Sequence, residues 1–206
     1  MVGRCHLITD PTPGRDDVAV VRAALDVGVD TVQVRVKDAG DAAVLSLVEQ
    51  MLALCAPYGA ACVVDDRLDV ALAAGADAVH LGAEDLPLAA ARRVADGRLA
   101  LGATVRDPSA ARRAAEDGAT YLGVGPVRAT VTKSGLPAPI GVAGVAAVCA
   151  TTDLPVVAIG GVTAELVPDL MAAGAFGVAV VGAVHRAADP VAAAGRLVAA
   201  VQGAVR

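Results

Sequence analysis

Two stretches of this 206-residue chain gather side chains suited to holding a highly charged anion. In TVQVRVKD, residues 31–38, Val32, Val34 and Val36 alternate with Gln33, Arg35 and Lys37. Alternate residues of a strand face opposite sides, so the three polar side chains share one face. Two cations side by side in a partly buried place repel one another and are costly to desolvate unless an anion compensates them. The second stretch, VVDDRLDVALAAGADAVHLGAEDLP at 63–87, ends one apolar run in Asp65 and Asp66 and sets Asp85 just beyond the next. Carboxylates at the ends of adjacent strands could share a hard cation. Mg²⁺ is commonly bound by one or two carboxylates, with substrate phosphates and water completing its shell. Asp65 or Asp66 also suits a helix N-cap for RLDVALAAG, and Asp85 one for LPLAAARRVA.

A second group of donors lies toward the C-terminus. GPVRATVTKSGLPAPIG at 125–141 is a long connection that supplies Thr130, Thr132 and Lys133. Connections of this length within compact domains are commonly functional. AIGGVT at 158–163 and VAVVGAV at 178–184 place Gly160, Gly161, Val181 and Gly182 where backbone N–H groups could approach a phosphate monoester. Two anion sites, one with a metal, point to a transferase joining two phosphorylated molecules.

The elements that must position these groups are legible as a repeat. DVGVDTVQV, AAGADAVHL, EDGATYLGV and AAGAFGVAV each run from a helix-like segment through a Gly into a β-branched strand. Gly28, Gly75, Gly118 and Gly174 suit the left-handed residue that follows a helix. They lie 47, 43 and 56 residues apart, room for two βα units per interval. Strands expected at 5–9, 61–65, 99–103 and 155–159 fill the gaps, with Ala-rich helices between them. Eight alternating units in one domain spanning 1–206 predict an α/β fold, a (β/α)₈ TIM barrel, whose chemistry sits at the C-terminal ends of the strands. An open doubly wound sheet is disfavoured because no Gly-rich dinucleotide turn follows the first strand.

Composition narrows the partners. The formal net charge is −5, and one Phe, two Tyr and no Trp leave no basic, aromatic groove for nucleic acid. No apolar run is long enough to span a membrane, and the first ten residues lack a signal-like apolar core, so a cytoplasmic protein is expected. Cys5, Cys55, Cys62 and Cys149 lack zinc-site spacing and read as reduced thiols, three of them inside apolar segments. His6, His80 and His185 lack nucleophile–base or metal spacing and read as structural or as minor substrate contacts. Oligomeric state is not legible.

QVRVK, VVDDRLDVALAAGADAVHLGAEDLP, LGAT, YLGVGPVRATVTK, LPVVAIGGVT and AFGVAVVGAV together resemble the thiamine phosphate synthase family, in order and across nearly the whole chain. The resemblance implies an Mg²⁺-dependent condensation of a hydroxymethylpyrimidine diphosphate with a thiazole phosphate, giving thiamine phosphate and pyrophosphate. It implies that the pyrimidine C–O bond breaks first and that the thiazole nitrogen captures the resulting cation. By the same resemblance, Gln33, Arg35, Lys37 and Lys133 contact the pyrimidine diphosphate, with Arg35, Lys37 and Lys133 catalytic. Asp66 and Asp85 bind the metal. Thr130, Thr132, Gly161, Val181 and Gly182 contact the thiazole phosphate, and Val34, Val36 and Val131 complete the two substrate-binding segments. Asp65, Thr104 and Gly182 stand where the family usually has Asn, Ser and Ser. Asp65 adds an acid beside the diphosphate and so requires the metal, Arg67 or Lys37 as a partner. Two other readings fit parts of the pattern: a phosphate-binding barrel isomerase such as a thiazole tautomerase, and a non-catalytic pathway binding protein.

Overall fold

The computed structural model describes residues 2–10, 16–130, 132 and 135–205. Eight parallel strands close into a barrel in chain order, β1 to β8, with β8 pairing back onto β1. The strands are β1 Cys5–Ile8, β2 Thr31–Val34, β3 Ala61–Asp65, β4 Ala78–Leu81, β5 Ala100–Val105, β6 Tyr121–Val124, β7 Val156–Ile159 and β8 Gly177–Val180. Helices α1 Asp17–Asp26, α2 Asp41–Cys55, α3 Leu68–Ala74, α4 Leu88–Ala95, α5 Pro108–Asp117, α6 Gly141–Cys149 and α7 Val167–Ala172 link them. A four-residue helix α8, Gly182–His185, precedes the closing helix α9, Pro190–Ala204.

Local chemistry sets these boundaries. Gly28, Gly75, Gly118 and Gly174 all adopt the left-handed region, with φ of 100°, 69°, 100° and 96°. Each turns the chain from a helix into the next strand, as the repeat predicts. At the helix starts, Asp16 accepts from the Ala19 N–H, Asp107 from Ser109 and Ala110, and Asp189 from Ala192. These caps satisfy N–H groups that have no partner within the helix.

Alternation along the strands separates two cores. Leu7, Val32, Val34, Val64, Val79, Leu122 and Val178 point outward into the layer shared with Val21, Met51, Leu170 and Leu197 of the helices. Ile8, Val63, Ala78, Tyr121, Val157 and Ala179 fill the barrel interior, together with Val2. Parallel strands buried on both faces read as almost continuous apolar runs, which explains why polar residues inside this barrel stand out. His6, Thr31 and Gln33 are buried there.

One expected strand stops short, and another ends where the repeat places it. β2 ends at Val34, because the Thr9 hydroxyl accepts from the Arg35 N–H at 2.9 Å and donates to the Arg35 carbonyl at 3.2 Å in place of a ladder partner. Arg35 and Lys37 therefore rise from a loop at the barrel mouth. The segment 178–184 leaves the sheet at Val180 and turns into α8.

Candidate active site

At the C-terminal ends of β2, β3 and β4, five of the expected polar residues converge with Asp65. The Gln33 Nε2 donates to Asp65 Oδ1 at 2.7 Å. Asp65 Oδ2 lies 3.6 Å from Arg35 Nε and 3.7 Å from Lys37 Nζ, and Lys37 also pairs with Asp66. The Asp66 and Asp85 carboxyl groups are in hydrogen-bonding contact, and Asp85 Oδ2 accepts from the Gly82 N–H at 2.6 Å. Neither metal candidate serves as a helix cap. The N-cap of α3 is Arg67 and that of α4 is Pro87, both without a side-chain capping bond, while Asp66 takes a left-handed φ of 63° in the turn after Asp65. Arg67 is turned away from Asp65 onto Asp41 at 3.0 Å and Asp69 at 2.6 Å. The partners of the additional acid are thus Lys37, Arg35 and Gln33.

Burial, and the contacts the three acids make with each other and with Lys37, set their protonation apart. Burial, reinforced by the charge of Asp66, pushes the Asp65 carboxyl up to about 6 against the opposing pull of Lys37, Arg35 and Gln33. Burial also raises Asp66, but its bonds with Asp85 and Lys37 outweigh burial and hold it below the usual carboxylate range. Burial and the contact with Asp66 raise Asp85. Burial lowers Lys37, yet its bond to Asp66 and the nearby acids leave it raised overall, a firmly charged ammonium.

The opposite side of the mouth is built from β5 to β8. Thr104 Oγ1 lies 2.9 Å from His80 Nε2, and the other ring nitrogen of His80 lies 3.1 Å from the Tyr121 hydroxyl, so one imidazole joins β4, β5 and β6. Glycines create the room: a Cβ on Gly123 would meet the His80 ring at 2.7 Å, and one on Gly102 would strike the Tyr121 ring. After β7, the Gly160 carbonyl accepts from the Arg128 N–H at 2.9 Å, which draws the β7 loop against the connection after β6. Gly161 has a φ of 67°, and a Cβ there would stand 2.7 Å from Arg128 Cβ and 2.9 Å from the Ala129 carbonyl oxygen. Arg106 fastens the same connection by donating to the carbonyls of Gly125 at 3.2 Å and Ala138 at 2.7 Å. Thr130 Oγ1 and Thr132 Oγ1 lie 3.3 Å apart, and Arg186 at the end of α8 donates to Thr132. Val131 and Lys133 lie outside the described residues. Among the described residues no group of three His, Cys, Asp or Glu side chains that could hold a metal ion occurs.

The thiamine monophosphate synthase family matches residues 5–184. This chain belongs to that family. A thiamine-phosphate synthase of Salinispora arenicola is 55% identical over 203 residues, covering 97% of this chain and 98% of its own length. One from Chloroflexus aurantiacus is 43% identical, over 96% and 92% of the two chains. The solved thiamine phosphate pyrophosphorylase of Pyrococcus furiosus superposes with a TM-score of 0.90 at 34% identity, covering 98% of this chain and 97% of that one. A 3-hexulose-6-phosphate synthase, at 22% identity and a TM-score of 0.73, shares the fold.

Against the expectations for this family, the chain brings Gln33, Arg35, Lys37, Asp65, Asp66 and Asp85 into one cluster. It places Thr104 near the end of β5, Thr130, Thr132 and Gly161 on the connections after β6 and β7, and Val181 and Gly182 at the start of α8 after β8. Val34 is different: its side chain is buried in the outer core, and Val36 packs partly against that same layer, so neither valine turns its side chain to the mouth. Both obey the alternation that sends the valines of this stretch toward the helices. Sequence reasoning passed over Arg186 and Arg106. For Arg186 a signal existed, since it follows Gly182 by four residues, one turn along a helix.

Proposed function

We propose that this barrel mouth condenses a hydroxymethylpyrimidine diphosphate with a thiazole phosphate to give thiamine phosphate and pyrophosphate. Family membership and 55% identity over nearly the full length support thiamine-phosphate synthesis as the activity. The observation that carries the site assignment is the meeting of Arg35 with Asp65, of Lys37 with Asp65 and Asp66, and of Asp66 with Asp85 across the ends of β2, β3 and β4. Without ligand these cations and acids compensate one another; a metal-bound diphosphate can replace those pairings, the metal taking the acids and the phosphate oxygens the cations.

Asp66 and Asp85 would hold Mg²⁺, which when bound offsets charge building on the departing diphosphate. Arg35 and Lys37 grip the diphosphate from the other side, and Lys133 is expected to join them. As the pyrimidine methylene C–O bond breaks, the bonding pair leaves with the diphosphate, whose extra charge these side chains are already oriented to receive. The lone pair on the thiazole nitrogen forms the new C–N bond, and no proton need move to the protein. Thr130, Thr132, Gly161, Val181 and Gly182 hold the thiazole phosphate so that its nitrogen faces the methylene carbon; restricting that approach is the second contribution to rate. Gln33, Asp65 and Thr104 line the space between the two anion sites and orient the pyrimidine.

The test is direct: purified protein, both substrates and Mg²⁺, with thiamine phosphate and pyrophosphate measured together. Stoichiometric, Mg²⁺-dependent formation of both is expected. Turnover of one phosphorylated substrate alone without metal, or binding with no product where a control enzyme works, would refute the reading.

A further inference from the structure

Resting on the thiazole-phosphate reading of the β6–β8 loops, we infer that Arg186 is a phosphate-binding residue of that site and that Gly182 lacks a side chain in order to admit it. Arg186 caps the C-terminus of α8, yet its guanidinium folds back along the helix over the residue that begins it. A Cβ built on Gly182 would stand 2.6 Å from Arg186 Nε and 2.7 Å from Cζ. Separations under about 3 Å are not tolerated by a real methyl group, so with any larger residue at 182 the guanidinium must move elsewhere. Its Nη2, the guanidinium atom nearest that Cβ position, donates to Thr132 Oγ1. Arg186 therefore bridges the two loops assigned to the thiazole phosphate, the one after β6 and the one after β8.

The bridge has a firm base. The preceding residue, His185, is buried; its Nε2 donates to the Ile8 carbonyl at 3.0 Å, and its Nδ1 faces Asp17 Oδ1 at 3.5 Å. This ties α8 to the end of β1 and fixes where the stem of Arg186 begins. Chemistry favours the assignment as well. In a chain of net charge −5, a phosphate needs a local cation, and a planar guanidinium presents paired donors that match phosphate oxygens. The Thr132 hydroxyl that Arg186 now holds is itself an expected phosphate donor, so an arriving phosphate can take up both groups without either travelling far.

Steady-state kinetics of Arg186→Ala and Arg186→Lys, with each KM measured separately, test this. Arg186→Ala should raise the KM for the thiazole phosphate about tenfold, the loss of one partly exposed charged hydrogen-bonding group, and leave the KM for the pyrimidine diphosphate within about twofold. Arg186→Lys should fall between the two. Use of the dephosphorylated thiazole alcohol should be the same in Arg186→Ala as in the parent protein. An unchanged KM for the thiazole phosphate, or an equal loss with the alcohol, would overturn the assignment, the latter showing that Arg186 only braces the loop. Calorimetry with inorganic phosphate separates this inference from the one beneath it. Phosphate binding that weakens in Arg186→Ala, in a protein forming no thiamine phosphate, would uphold the anion contact and remove the reaction; product formation with phosphate binding indifferent to Arg186 would do the reverse.

Discussion

Gln33 donates its Nε2 to Asp65 Oδ1 across 2.7 Å, joining the ends of β2 and β3 inside the barrel mouth. The bond orients the glutamine amide and leaves Asp65 as the acceptor for Gln33, Arg35 and Lys37 together.

Asp65 gives the protein a pH-dependent stability. An acid whose pKa is raised on folding binds its proton more tightly in the native state. Between the ordinary carboxylate range and about 6 the native chain holds the extra proton, and stability falls as pH rises through that window. Asp65→Asn cannot ionise and should raise the melting temperature by a few degrees at pH 7.5 in chelator-treated buffer, a shift on the scale of 1 kcal/mol for a chain of this size. Near pH 4 the gain should vanish. A difference between the two proteins that ignores pH would contradict the raised pKa.

Lys37→Ala and Arg35→Ala should each lower kcat by roughly a hundredfold or more, the usual cost of removing one donor from a developing anion. Lys37 pairs with both Asp65 and Asp66, so its loss should also leave the acid cluster more dependent on added Mg²⁺. Single-turnover rates across a Mg²⁺ series check both parts; normal kcat in Lys37→Ala would place the diphosphate elsewhere.

Asp85→Asn and Asp66→Asn should raise the Mg²⁺ concentration for half-maximal activity by at least about tenfold, the scale seen on weakening a metal's support. The circular dichroism of both variants should match that of the parent, because neither acid caps a helix. If activity follows Mg²⁺ unchanged in Asp85→Asn, that carboxylate is no ligand.

Gly161→Ala is expected to destabilise by about 1–3 kcal/mol, since it combines a left-handed φ of 67° with a Cβ pressed against Arg128 and the Ala129 carbonyl. The same strain pushes the β7 loop from the connection after β6, so the KM for the thiazole phosphate should rise with the fall in melting temperature. Gly59→Ala, with a similar φ of 63° and open space around it, is the control: it should lose stability without changing either KM.

The barrel was legible in the chain because its causes are local. A left-handed turn asks for glycine wherever it falls, and Gly28, Gly75, Gly118 and Gly174 mark four helix exits without reference to any other segment. The alternation of valines with Gln33, Arg35 and Lys37 likewise states which faces differ. Where β2 stops was not legible, because the Thr9 hydroxyl that takes over the Arg35 backbone is 26 residues away in the chain. For the same reason the cap reading of Asp66 and Asp85 stood until the helix starts were seen to fall at Arg67 and Pro87, with Asp66 against Asp85.

Taken alone, the order of residues determined eight βα units, the acids and bases at strand ends, and the family to which they belong, all properties of neighbours along the chain. Only tertiary structure decided who faces whom: Asp65 with Lys37 and Arg35 while Arg67 turns away, and Arg186 laid over Gly182 to reach Thr132. Closing the sheet brings together groups separated by tens of residues. Their pairing depends on the strands' register and on the space a missing Cβ leaves, quantities that no spacing in the sequence records.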